Sequence, residues 1–122
     1  MIKRNRADMT MVGEASNGRE AVELWKQERP DVTLLDLRMP ELDGVEVIKE
    51  IRAADKKARI IVLTTFDGDE DIYRAIQAGA KGYLLKDVAR EALMDSIRRV
   101  YAGETSVPLH LVASRIASAE KL

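Results

Sequence analysis

The chain has 122 residues, 46% hydrophobic and 34% charged, a balance that suits one folded, soluble domain with one core and argues against a disordered tail. With no cysteine and a single histidine it can build neither a disulfide framework nor a thiolate or structural zinc site, and this composition fits the reducing cytoplasm. A net charge of -1 with acids and bases intermixed leaves no footprint for a nucleic-acid backbone, and no apolar run approaches the roughly 18 residues of a membrane span or forms a signal peptide.

Short aliphatic runs alternate with longer segments of helical period, the pattern of an α/β domain with a parallel sheet. A strand is expected at 9–15, followed by a helix at 18–28, where Asn17 stands three positions before Glu20 in capping spacing. Trp25 on that helix reads as a packing residue. A second strand is expected at 32–36 and a helix at 44–54, with Asp43 three positions before Glu46. The strand at 59–64 carries the continuous apolar run from Ile60 to Leu63, as expected of a strand covered on both faces. A helix at 69–78 begins among Asp67, Asp69, Glu70 and Asp71, where negative charge suits the helix dipole. The last strand, 81–85, and a helix at 90–101 follow, and Gly79 and Gly103 stand just past two helix ends. Beyond a polar connector, residues 108–122 place Leu109, Val112, Ala113, Ile116 and Ala117 on one stripe, which predicts a terminal helix. His110 in that segment lacks partner ligands and reads as a surface or interface residue.

In an open parallel sheet, ligands bind beyond the carboxyl ends of the strands. Asp36, Thr64 and Lys86 each close one of the last three strands, so a carboxylate, a hydroxyl and an ammonium can converge on one anion. Taken singly, each has an ordinary explanation, since a strand-terminal Asp often caps a loop, a Thr fills a strand end and a Lys is usually solvated. Their joint placement favours the functional reading.

The segment Leu34-Leu35-Asp36-Leu37-Arg38-Met39-Pro40, with Asp43-Gly44 after it, resembles the acceptor loop of response-regulator receiver domains. Ala78-Gly79-Ala80-Lys81-Gly82-Tyr83-Leu84-Leu85-Lys86-Asp87 resembles their last strand in its NarL/LuxR-type form, as do Gly13-Glu14-Ala15-Ser16-Asn17-Gly18 and Leu63-Thr64-Thr65-Phe66-Asp67. The resemblance implies a flavodoxin-like (CheY-like) α/β fold and a phosphorylation switch in two-component signalling. Asp36 would take a phosphoryl group from a sensor histidine kinase, and Thr64 and Lys86 would contact it. Asp36 and the backbone carbonyl of Arg38 would be ligands of Mg²⁺, and Tyr83 would be the aromatic switch following Thr64. The signal would reach the face formed by helix 69–78, the strand 81–85 and helix 90–101, and from there a DNA-binding output domain not present in this chain.

The sequence departs from that family at its start. Only ten residues precede Met11, so the family's first strand and most of its first helix have no counterpart, and Asp8 cannot replace their acid pair. The expectation is a receiver domain over 1–103, truncated at the N-terminus, with a linker and C-terminal helix over 104–122. Weak Mg²⁺ binding and a homodimer that covers the gap are expected with it. The rival reading is a phosphorylation-independent pseudo-receiver that works as a dimerisation or interaction module. An enzyme of phosphorylated metabolites is disfavoured, since no Gly-rich phosphate loop or general base is present.

Overall fold

In the computed structural model, residues 2–5, 8–11, 13–36, 44–64 and 69–106 are described, with 2–5, 8–11 and 69–72 known by their backbone path alone. Along the chain the elements are β1 (Ile2–Asn5), β2 (Asp8–Met11), α1 (Gly18–Glu28), β3 (Thr33–Asp36), α2 (Gly44–Ala54), β4 (Ile60–Thr64), α3 (Asp69–Ala78), β5 (Gly82–Leu85) and α4 (Arg90–Tyr101).

Local chemistry sets the helix ends. Asn17 Oδ1 accepts the Glu20 N–H at 2.8 Å and so satisfies one free amide of the first turn of α1. The same helix ends at Arg29, whose left-handed backbone returns its N–H to the Trp25 carbonyl at 2.8 Å. The Arg29 guanidinium lies 4.5 Å from the centroid of the Trp25 ring. Helices α3 and α4 stop with two nested bonds each. Gly79 donates to Ile76 and Ala80 to Ala75, and likewise Gly103 donates to Val100 and Glu104 to Arg99, all at 3.0 or 3.1 Å. This paired closure needs a positive φ at its turning residue, and Gly79 and Gly103 supply 118° and 96°.

Strands β3, β4 and β5 pair in parallel in that order, with Leu35 opposite Val62 and Val62 opposite Tyr83. Side chains alternate across the sheet and divide the core into two. On one face Leu35, Ile60, Val62 and Tyr83 pack with Ala21, Val22 and Trp25 of α1, with Val47, Ile48 and Ile51 of α2 and with Ala75 of α3. On the other face Val32, Ile61 and Leu84 meet Ile97 and Val100 of α4, with Leu34 and Leu63 only half-buried there. Burying each such aliphatic side chain fully is worth about 1.5 to 3 kcal/mol, so the first face carries most of the stability.

The N-terminal region differs from the expectation of a parallel strand over 9–15. Asp8–Met11 is a strand, but it pairs antiparallel with Ile2–Asn5 in a separate two-stranded sheet, and residues 13–15 are not extended into a ladder. The two strands are neighbours in sequence, and closing a short connection costs far less chain entropy than reaching a distant parallel partner. Asp43 and Asp67, together with 108–122, its apolar stripe and His110, lie outside the described residues.

Thr33 in β3 is 1% exposed, and its hydroxyl is the one buried side-chain polar atom without a partner among the described residues. A buried hydroxyl left unpaired costs about 1 to 3 kcal/mol, and valine fills nearly the same space without it. Thr33→Val is therefore expected to raise unfolding stability by about 1 kcal/mol, read as a higher urea midpoint at unchanged slope.

Candidate functional site

The register of the sheet builds the site. Asp36 stands opposite Leu63, and Thr64 stands opposite Leu85, so Asp36, Thr64 and Lys86 step along a diagonal, each one position further along its strand. All three sit at the carboxyl end because parallel strands share one direction. Lys86 is held there by its own backbone, whose N–H donates to the Thr64 carbonyl at 2.8 Å. Just after it, Val88 N–H closes a turn onto the Leu85 carbonyl at 3.1 Å.

Two of the three candidate side chains touch. Lys86 Nζ donates to Asp36 Oδ2, a charge-assisted pair in which the lysine side chain is 43% exposed and the aspartate 30%. The ammonium thus occupies the position from which it can neutralise negative charge added to that carboxylate. Thr64 is 2% exposed and shares its face of the sheet with Ile60 and Val62, the face turned to the larger core. Tyr83 lies on the same face, fully buried, in the row next to Thr64 and diagonal to it. A hydroxyl and an aromatic ring expected to move together are therefore diagonal neighbours under one layer of helices. Arg38 lies outside the described residues.

Magnesium binding asks for near-octahedral oxygen ligation from carboxylates, carbonyls and water. Among the described residues no group of three or more metal-ligating side chains gathers, and Asp36 Oδ2 already accepts from an ammonium. These residues do not by themselves fit a magnesium site. No helix among the described residues is long and apolar enough to cross a membrane.

Sequence reasoning missed a polar contact behind the site. Ser106 joins the outer edge of β5 through an isolated parallel bridge to Gly82, and its hydroxyl lies 2.8 Å from that of Ser96 on α4. A single bridged residue has no periodicity, so the only signal available was the glycine in the strand, which marks close approach of another backbone.

A family model for the response regulator receiver domain matches residues 1–98. The chain is 47% identical over 97 residues to the transcriptional regulatory protein YxjL of Bacillus subtilis (strain 168), covering 80% of this chain and 44% of that protein. It is 42% identical over 97 residues to the nitrate/nitrite response regulator protein NarL of Escherichia coli (strain K12), covering 80% of this chain and 45% of that protein. The chain thus spans less than half the length of these two curated relatives. Among solved structures it is similar to a LuxR-family two-component response regulator from Aurantimonas sp. SI85-9A1, with TM-score 0.80 and 31% identity over 93% of this chain and 80% of that one. It is also similar to the signal receiver domain of NarL from Mycobacterium tuberculosis, with TM-score 0.74 and 38% identity over 78% and 77% of the two chains. The receiver domain of the sensor histidine kinase PA1611 from Pseudomonas aeruginosa PAO1, with TM-score 0.69 and 33% identity over 75% and 77%, holds a magnesium ion in its active site cleft.

The Asp36–Lys86 pair is partly solvated, and solvated pairs contribute little to folding. Lys86→Ala is expected to change unfolding stability by less than about 1 kcal/mol, and the difference should vanish in about 1 M salt, where the screening length falls to about 3 Å. Urea titrations at low and high salt measure both quantities.

Proposed function

The chain belongs to the response regulator receiver family, with its CheY-like parallel sheet flanked by helices, and from that premise we propose that it is a phospho-receiver whose acceptor is Asp36. The observation that supports this most directly is the strand-end diagonal, in which Asp36, Thr64 and Lys86 close three adjacent parallel strands, with the Asp36 carboxylate and the Lys86 ammonium in contact. An oxygen of Asp36 attacks the phosphorus of a phosphohistidine on a sensor histidine kinase, the P–N bond breaks, and the imidazole leaves with a proton from solvent. Lys86, already beside Asp36, offsets the negative charge that arrives, and the Thr64 hydroxyl donates to a phosphoryl oxygen. Tyr83 then adjusts to Thr64, and the surface of α3, β5 and α4 carries the change to partners. The reading treats residues 1–103 as receiver and 104–122 as connector to a DNA-binding output domain outside this chain, in a cytoplasmic protein whose module is not an enzyme in its own right.

A homodimer belongs to the same reading. Only α4 covers the second face of the sheet among the described residues, and Leu34 and Leu63 stay half-buried there. A second copy removes that surface from water. Light scattering across a dilution series is expected to show a mass that falls from dimer toward monomer, and a constant monomer mass would count against the dimer.

Incubation with a small phosphodonor and Mg²⁺, followed by peptide mass mapping, is expected to place a single phosphoryl group on Asp36 and none on Asp36→Asn. A phosphoryl group on another acid overturns the assignment, and none at all turns the choice to the phosphorylation-independent module. Magnesium is expected to bind more weakly than in a receiver with a full acid set, each tenfold loss corresponding to about 1.4 kcal/mol. Isothermal titration reads this directly.

A further inference from the structure

The chain does not leave the domain at the end of α4. After the turn at Gly103, residues 104–106 return to the outer edge of β5, where Ser106 N–H donates to the Lys81 carbonyl and its own carbonyl accepts from Tyr83 N–H, both at 2.9 Å. The Ser106 hydroxyl is 2.8 Å from Ser96 Oγ, and Ser96 is buried on the inner side of α4. The approach is close, since a Cβ on Gly82 would stand 3.3 Å from the Ser106 carbonyl oxygen. Residues 104–106 thus form a strap across the open edge of the strand that leads to Lys86.

We propose that this strap couples the acceptor end of β5 to the chain that follows Ser106, so that a change at Lys86 loosens or tightens the strap and the strap in turn biases the acceptor site. The proposal rests on the reading of Asp36, Thr64 and Lys86 as an acceptor site. Strand β5 has only four residues and is tied to β4 just outside both ends, by Lys81 N–H to Ile60 and Lys86 N–H to Thr64, each at 2.8 Å. A segment so short moves as a unit. Tyr83, which donates to Ser106, is three residues from Lys86, or about 10 Å along the strand. Its side chain is packed in the main core while its amide, with the Lys81 carbonyl, holds Ser106, so a shift of the strand reaches Ser106 through those two bonds. Three uncharged hydrogen bonds hold Ser106, few enough that a charge placed on Asp36 can bias them.

Amide hydrogen exchange of the full chain, followed by NMR with and without beryllofluoride plus Mg²⁺ as an acyl-phosphate mimic, tests the coupling. Exchange at Tyr83 and Ser106 is expected to change about fivefold or more on adding the mimic, and on Lys86→Ala without it. Because coupling is reciprocal, Ser96→Ala, the mild variant, and Ser106→Pro, which removes the donor to Lys81, are expected to shift beryllofluoride affinity by a matching factor. If Lys86 responds to the mimic while Tyr83 and Ser106 do not, the strap is static and the proposal is overturned. If the mimic leaves Asp36 and Lys86 undisturbed, the acceptor reading fails. The Lys86→Ala arm then decides the strap alone: altered exchange at Ser106 supports it and unaltered exchange overturns it.

Discussion

Parallel pairing of β3, β4 and β5 in a single register is the constraint on which the rest of the molecule depends. Parallel strands cannot be joined by tight turns, so each connection must cross the sheet through a helix, and α2 and α3 are those crossovers. The shared direction gathers all three carboxyl ends on one side, and the register staggers Asp36, Thr64 and Lys86 across it. A slip of one residue would turn Leu35, Val62 and Tyr83 out of the larger core. The apolar packing that fixes the fold therefore also fixes the spacing of the polar groups.

The two faces of the sheet are unequally covered, and this asymmetry sorts the site residues. Thr64 and Tyr83 lie on the face beneath three helices, where neither can move without disturbing its neighbours. Asp36 and Lys86 stand at the strand ends, where water reaches both side chains. Under the proposed function, an acceptor and its counter-charge need access to a donor, whereas residues that relay a change need tight surroundings. The alternation of β-strands gives each pair its own environment from one short segment.

Much of this was legible in the chain because it is locally encoded. The four helices follow the expected bounds, since Asn17 and the two glycines at 79 and 103 mark ends by chemistry that acts within a few residues. Asp36 and Lys86 were legible as partners because each closes an apolar run, and parallel strands bring such closures together. The pairing of Ile2–Asn5 with Asp8–Met11 was not legible, because Met9 and Met11 suit a parallel partner as well as a hairpin and only the competition between them decides. The strap was hidden for a different reason. Its two bonds to β5 and its approach are made by backbone groups of Lys81, Tyr83 and Ser106, and backbone groups are the same in every sequence.

The contact between Arg29 and Trp25 has an optical consequence. Trp25 is the sole tryptophan of the chain, is 2% exposed, and shares its core with the buried Tyr83. A buried indole emits at shorter wavelength than a hydrated one, and a guanidinium against its ring perturbs the excited state. Tyr83, packed in the same cluster, is placed to pass its excitation to that single acceptor. The fold therefore carries its own fluorophore, whose colour follows the docking of α1, with no label attached.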